Sequence, residues 1–202
     1  ITEGKPVVTD IITANNITED ELLKIANDKS ANSIKSVNLL CKMAAKGIEE
    51  EKIIDSIIYI MDTFSDENVI ATLGFLSQVK NNTKVLKTLE VYFKKYIYDN
   101  NIESAYDITL SIINNVGNYT TEQLIFLKAV AISDEVLELS MILKDEKGTF
   151  DLSSVPEDLR LKATLSFYSL YNKDEEINSK LMYLRDNSLD IELRKYLTEI
   201  LE

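Results

Sequence analysis

The stretch TEDELLKI, residues 18–25, contains the pattern that decides the fold. Thr18 followed three residues later by Glu21 is a capping box, in which two side chains satisfy backbone N–H groups at the start of a helix. Apolar residues follow at once with helical spacing. Comparable helix starts recur about every 15 to 18 residues as far as the C-terminus, with no competing strand pattern. The sequence therefore predicts an all-α protein.

The predicted helices lie between local start and stop residues. Ser65 and Pro156 mark helix starts, whereas Gly47 and Gly117 mark helix ends, where a left-handed residue is often needed. The first predicted helix begins at residue 18 and carries Leu22, Leu23 and Ile25. The next seven cover residues 30–46, 49–63, 65–80, 83–98, 101–116, 120–132 and 133–144. A ninth begins at 156 and includes Leu170, a tenth covers 174–185, and an eleventh follows Ser188. In this scheme 145–155 is the one long connection.

Taken in pairs, these helices begin near residues 18, 49, 83, 120, 156 and 188, at intervals of about 31 to 37 residues. This spacing predicts an α-solenoid of about five helical hairpins plus a terminal helix. A compact helical bundle is the alternative. The residues that best fit a known repeat pattern are Tyr106, Leu110, Ile113, Gly117, Tyr119, Phe126 and Ala129.

In these residues and in its spacing the chain resembles the tetratricopeptide-like repeats, whose helix pairs recur at 34 residues. Tyr96 with Ala105 fits the other register of the same pattern. The resemblance covers the spacing over residues 18–202, and HEAT-like pairs share that spacing. It implies an interaction surface on one face of the repeat.

The predicted domain organisation is simple. Residues 1–17 form an arm or a short helix, and 18–202 form one domain with a possible break at 145–155. A chain that begins at Ile1 without a signal-peptide pattern is expected to be a mature form or an excised fragment. The compartment is open: the cytoplasm is slightly favoured, and a secreted or surface location fits a mature fragment.

Composition narrows the classes of partner. The 202 residues are 45% apolar and carry a net charge of −12. Nucleic acids and anionic membranes require a basic surface, so neither is predicted as a partner. The acidic residues cluster at predicted helix starts, where carboxylates complement the helix dipole. No apolar run is long enough for a transmembrane helix.

The residue types also restrict chemistry. Histidine is absent, Cys41 is the single cysteine, and the five glycines form no phosphate-binding loop. Cys41 lies in an apolar stretch and is predicted to be a buried structural thiol. The segment that begins at Asp145 fails as a calcium loop, because Phe150 and Pro156 stand where glycine and glutamate are needed. We therefore predict no catalytic residues, no metal and no cofactor.

Surface recognition remains, and aromatic and basic residues outside the apolar stripes are its candidates. Tyr59 lies on the polar face of the third predicted helix, and Lys87, Lys94 and Tyr98 share a face of the fifth. The predicted function is a non-enzymatic protein–protein interaction scaffold or adaptor for a protein or peptide partner. The alternatives are a structural segment of a larger secreted, surface or virion protein, and an enzyme or carbohydrate-binding domain that uses carboxylates.

Overall fold

The computed structural model describes residues 18–132, 136–144, 147–153, 155–170 and 175–202. Over these residues the protein is all-α, with ten α-helices and one two-stranded antiparallel β-hairpin. The chain forms two compact units, the first from residues up to 96 together with 107–119, and the second from 97–106 together with residues from 120 onward.

The helices and strands have the following bounds. They are α1 (Glu19–Asn27), α2 (Ser33–Ala45), α3 (Glu50–Met61), α4 (Asp66–Leu76), α5 (Thr83–Tyr98), α6 (Ile102–Val116), α7 (Thr121–Ile132), β1 (Val136–Glu138), β2 (Thr149–Asp151), α8 (Glu157–Leu170), α9 (Glu175–Asn187) and α10 (Ile191–Leu201). A single 3₁₀ turn, Leu139–Met141, follows β1. The predicted arm at 1–17 lies outside the described residues.

The predicted helix caps are confirmed where the structure describes them. The backbone N–H of Glu21 donates to the hydroxyl of Thr18 at 3.3 Å, and the N–H of Thr18 donates to the Glu21 carboxylate at 2.9 Å. Ser65 accepts from a backbone N–H in the first turn of α4. Gly47 and Gly117 have φ angles of +79° and +73°, just beyond the ends of α2 and α6. Local hydrogen bonds and backbone handedness thus set these boundaries.

Substitution of alanine for two glycines in the first unit is expected to change the free energy of unfolding in opposite directions. Gly47→Ala should destabilise the protein by about 1 kcal/mol, because alanine is strained at positive φ. Gly74→Ala should stabilise it by about 0.5–1 kcal/mol, because Gly74 lies inside α4 with open space at its Cβ position. Urea unfolding measures both variants. Shifts of the same sign would contradict the assigned backbone conformations.

Among α1 to α4 each helix contacts the next one, and α1 and α2 also contact the helix after that. α1 packs against α2 and α3, and α2 packs against α3 and α4. Buried side chains fill the space between them. The largest of these in α1 to α5 are Leu22, Leu40, Ile53, Ile54, Ile57, Met61, Leu73, Leu76, Leu89 and Phe93.

Ion pairs join the odd-numbered helices of this unit. Lys52 in α3 reaches Asp20 at 3.0 Å and Glu19 at 3.4 Å, both in the first turn of α1. Lys84 in the first turn of α5 reaches Asp55 of α3 at 2.8 Å. Each such pair is exposed and contributes little to stability on its own. The pairs show how these helices are placed: the N-terminal part of α3 lies beside α1, and that of α5 lies beside α3.

Hydrogen bonds join the even-numbered helices in the same manner. The side chain of Gln78, just after α4, contacts Asn38 of α2 at 3.4 Å. The side-chain amide of Asn115, near the end of α6, donates to the carbonyl of Val79 at 2.7 Å and is buried. The residues joined by these bonds are about one helical hairpin apart in sequence.

Cys41 is fully buried in α2 as a free thiol. Burial raises the pKa of the thiol to about 12. A thiol with this pKa stays protonated at neutral pH and is a poor nucleophile. The prediction of a buried structural cysteine is confirmed.

The predicted helix over 133–144 is wrong. Residues 136–138 form β1, which pairs with β2 so that Leu137 lies opposite Phe150. Phe150 is buried, and its ring lies 6.1 Å from the ring of Phe126 in α7. Tertiary packing of Phe150 therefore overrides the helical spacing of residues in this segment. The first residues of this predicted helix, 133–135, lie outside the described residues.

The other described elements of the second unit are helices. α7 packs against α8, α8 against α9, and α9 against α10. The carboxylate of Asp190 accepts from the backbone N–H groups of Glu192 and Leu193, which sets the start of α10. The break predicted at 145–155 falls inside this unit, whereas the boundary between the units falls within α5 and α6. That 18–202 behave as one domain stays a prediction.

Candidate interaction surfaces

An open groove of about 630 Å³ lies between α1 and α3 in the first unit. We call it the Tyr59 groove. Its lining combines apolar, amide, hydroxyl and charged side chains, which is a composition suited to polar contacts around an apolar anchor. The lining residues are Asp20, Leu23, Lys24, Asn27, Asp55, Ser56, Tyr59 and Ile60.

Tyr59 is the most exposed of the large apolar and aromatic side chains of this groove. Its exposed fraction is 82%, whereas the adjacent Ile60 is buried. The helix turn therefore directs Ile60 into the core and leaves the Tyr59 ring in solvent. An exposed tyrosine offers a rigid apolar surface and a hydroxyl at little entropic cost, which is why tyrosine is enriched at interfaces.

The charges of the groove are partly paired. Lys52 lies beside Asp20, and Lys84 lies beside Asp55. The hydrogen bond that Lys52 donates to Asp20 is the largest cause that raises the pKa of Lys52, and the bond that Lys84 donates to Asp55 does the same for the pKa of Lys84. Lys24 adds a further cation to the lining. The groove therefore presents mixed charge, although the whole chain is acidic.

The predicted residues of α5 lie on an exposed face. Lys87 and Lys94 are both exposed, and Val91, between them at helical spacing, is exposed to 57%. Sequence reasoning missed Val91 because it searched only for polar and aromatic residues. Tyr98 is also exposed, but it belongs to the second unit. None of these α5 residues is among those that line the Tyr59 groove.

Tyr92 on α5 shows a second contact between α5 and the region of α3. Burial raises the pKa of its phenol, and the charge and hydrogen bond of Asp62, next to the end of α3, raise it further. Lys95 lies over the rings of Tyr92 and Tyr96, at 5.7 and 5.6 Å from their centroids. These cation–π contacts hold Lys95 against the aromatic surface of its own helix.

The described residues contain no group of three or more acidic or cysteine side chains placed to hold a metal ion. Two carboxylates in the second unit have lowered pKa values, Asp151 because Ser153 donates to it and Asp186 because Arg185 does. A lowered pKa keeps these carboxylates ionised, which is the opposite of what a general acid requires. Within the described part of the chain, no helix is long and apolar enough to cross a membrane.

The fold places the chain among all-α proteins, and its surface presents grooves between helices. Comparisons with models of protein families, with curated proteins and with solved structures find no match for this chain.

Proposed function

We propose that this chain is a non-enzymatic scaffold or adaptor that binds an extended peptide segment of a partner protein on the face formed by α1 and α3. The observation that carries the proposal is the Tyr59 groove, in which a tyrosine that is 82% exposed lies beside apolar, polar and charged side chains. Contact of an exposed aromatic ring with water is unfavourable in the free protein. A partner that covers the ring gains the free energy of burying it.

The proposal includes a helical-repeat arrangement of the first unit, similar to tetratricopeptide-like hairpins. The support for this arrangement is that contacts between residues about one hairpin apart recur, both among the odd-numbered helices and among the even-numbered ones. Lys52 with Asp20 and Lys84 with Asp55 join odd-numbered helices, and Asn115 with Val79 joins even-numbered ones. In repeat proteins each unit contacts its neighbours in this way, and one layer of helices carries the partner.

The chemistry of the groove defines the partner. An apolar side chain of the peptide packs on Tyr59 and Leu23, while Asn27 and Ser56 exchange hydrogen bonds with its backbone amides. Lys24 pairs with a carboxylate of the peptide, and the acidic side chains of the lining pair with its basic residues. The partner is thus an extended peptide of mixed charge with one apolar anchor. A nucleic acid is disfavoured, because the chain carries a net charge of −12.

Tyr59→Ala should lower the affinity for such a peptide by about tenfold or more, as expected for an aromatic anchor. A display library of random peptides is selected against the wild-type protein, and the best binders are measured by fluorescence anisotropy. The melting temperature should stay unchanged, because the Tyr59 ring makes little contact in the free protein.

Tyr98→Ala is the matched control, since Tyr98 is another exposed tyrosine and lines neither this groove nor any other described here. It should leave the affinity unchanged. Selected peptides that bind Tyr59→Ala as tightly as wild type would overturn the proposal, and so would a library that yields no binder.

A further inference from the structure

A second groove, of about 680 Å³, lies wholly within the second unit. We call it the Leu189 groove. It is bounded by the start of α8, the end of α9 and the connection to α10. Its apolar lining consists of Leu161, Tyr183, Leu184, Leu189 and Leu193.

The apolar residues of this groove are unusually exposed. Leu189 is 100% exposed and Tyr183 is 65% exposed. Met182, Ile191 and Tyr196 are further exposed apolar residues of α9 and α10. Contiguous exposed apolar surface with a polar rim marks interaction sites in soluble proteins.

The rim of the groove is acidic. Among the residues that the structure describes, the charged ones in its lining are Asp158 and Asp190. Asp190 is held in place by the two backbone N–H groups that it caps, and Asp158 has an exposed ion pair with Lys162 at 3.8 Å. Arg185, next to the lining residue Leu184, forms an ion pair with Asp186 at 2.8 Å. Residues 175–202 contain seven acidic and four basic side chains.

We propose that the Leu189 groove docks a basic amphipathic helix of a partner protein. The apolar face of that helix packs on Leu161, Leu184 and Leu193, with Tyr183 and Leu189 closing over its sides. Its lysine or arginine residues lie towards Asp158 and Asp190. Helix-in-groove recognition combines apolar anchors with complementary charge in this manner.

Charge complementarity selects this occupant over two others. A second copy of the chain carries the same acidic rim and a net charge of −12, so like charges would oppose pairing. Anionic lipid surfaces are repelled for the same reason. The groove volume lies within the range of about 300–1,000 Å³ that is usual for ligand sites. The proposal does not depend on the Tyr59 groove, which lies in the other unit.

The experiment uses a labelled synthetic peptide of leucine and lysine with helical spacing, and a second peptide in which glutamate replaces lysine. Fluorescence anisotropy with the full chain should show binding of the lysine peptide and at least about tenfold weaker binding of the glutamate peptide. Leu189→Ser should weaken the lysine peptide by about tenfold, since an apolar contact of one leucine is lost. The double variant Asp158→Asn with Asp190→Asn should also weaken it, because asparagine keeps the helix cap but removes the charge.

Two control variants distinguish binding at the Leu189 groove from nonspecific electrostatic attraction of the lysine peptide to an acidic protein. Met141→Ser removes an exposed apolar side chain of the same unit outside the groove and should leave binding unchanged. Tyr59→Ala should also leave it unchanged. If Leu189→Ser binds the lysine peptide as tightly as Met141→Ser does, the proposal is overturned. Binding to phosphatidylcholine vesicles that is lost in Leu189→Ser would assign the groove to a membrane and overturn it as well.

Discussion

Phe150→Ala is expected to destabilise the protein by about 3–5 kcal/mol, the usual cost of removing a buried phenylalanine ring. Phe150 lies on a strand of three residues, yet its side chain is almost fully buried and its ring contacts that of Phe126. The variant leaves a cavity beneath the β-hairpin and removes the aromatic contact. Differential scanning calorimetry should show a fall of roughly 10 °C in the melting temperature.

Val136→Ala is the matched control for this variant. Val136 lies on the partner strand, but its side chain is exposed, so its loss should change the free energy of unfolding by less than about 0.5 kcal/mol. A Phe150→Ala protein as stable as the Val136→Ala protein would show that the hairpin does not pack as described.

Asn115→Asp is expected to cost roughly 3–5 kcal/mol at neutral pH, because it buries a charge and loses a donor. The Asn115 amide donates to the carbonyl of Val79, and its own oxygen has no hydrogen-bond partner among the described residues. An aspartate there repels the Val79 carbonyl and finds no compensating donor. Urea unfolding at neutral pH measures the loss.

The pH dependence of this variant has a defined sign. Burial should raise the pKa of the introduced carboxyl in the folded state above its unfolded value of about 3.9. The folded variant then binds more protons than the unfolded one, so its stability relative to wild type falls as pH rises above about 4. Below that pH the protonated carboxyl donates to Val79, and most of the deficit should disappear.

Asn118→Asp is the control, because Asn118 is exposed and its side-chain oxygen accepts from the backbone N–H of Tyr119. Aspartate keeps that acceptor, so stability should change little at either pH. A similar pH response in both variants would argue against a buried contact between α6 and the end of α4.

The helices were predictable because their boundaries are set locally. The bonds between Thr18 and Glu21 lie within one turn, and Gly47 takes its left-handed conformation just after α2. These features depend on residues that are close in sequence, so a single chain displays them without knowledge of its tertiary contacts.

The β-hairpin could not be predicted in the same way. Its strands are three residues long, and its position depends on a contact between Phe126 and Phe150, which are distant in sequence. The apolar residues Leu139, Ile142 and Leu143 are all buried, and their spacing also fits a helix. Tertiary packing, rather than local propensity, decides between the two conformations.

The candidate sites were only partly predictable. Tyr59 could be identified because an aromatic residue lies outside the apolar stripe of its helix. Its neighbours Leu23, Lys24 and Asn27 come from α1, and only the packing of α1 on α3 brings them to the groove. The Leu189 groove was missed for a similar reason, although a leucine between Ser188 and Asp190 at a helix start was a detectable anomaly.

The most direct test of the proposed scaffold function is a nuclear magnetic resonance titration of the full chain with a library-selected peptide. If the peptide binds the Tyr59 groove, amide shifts should concentrate at residues 20–27 of α1 and 55–60 of α3. Shifts confined to residues outside these two segments would contradict the account.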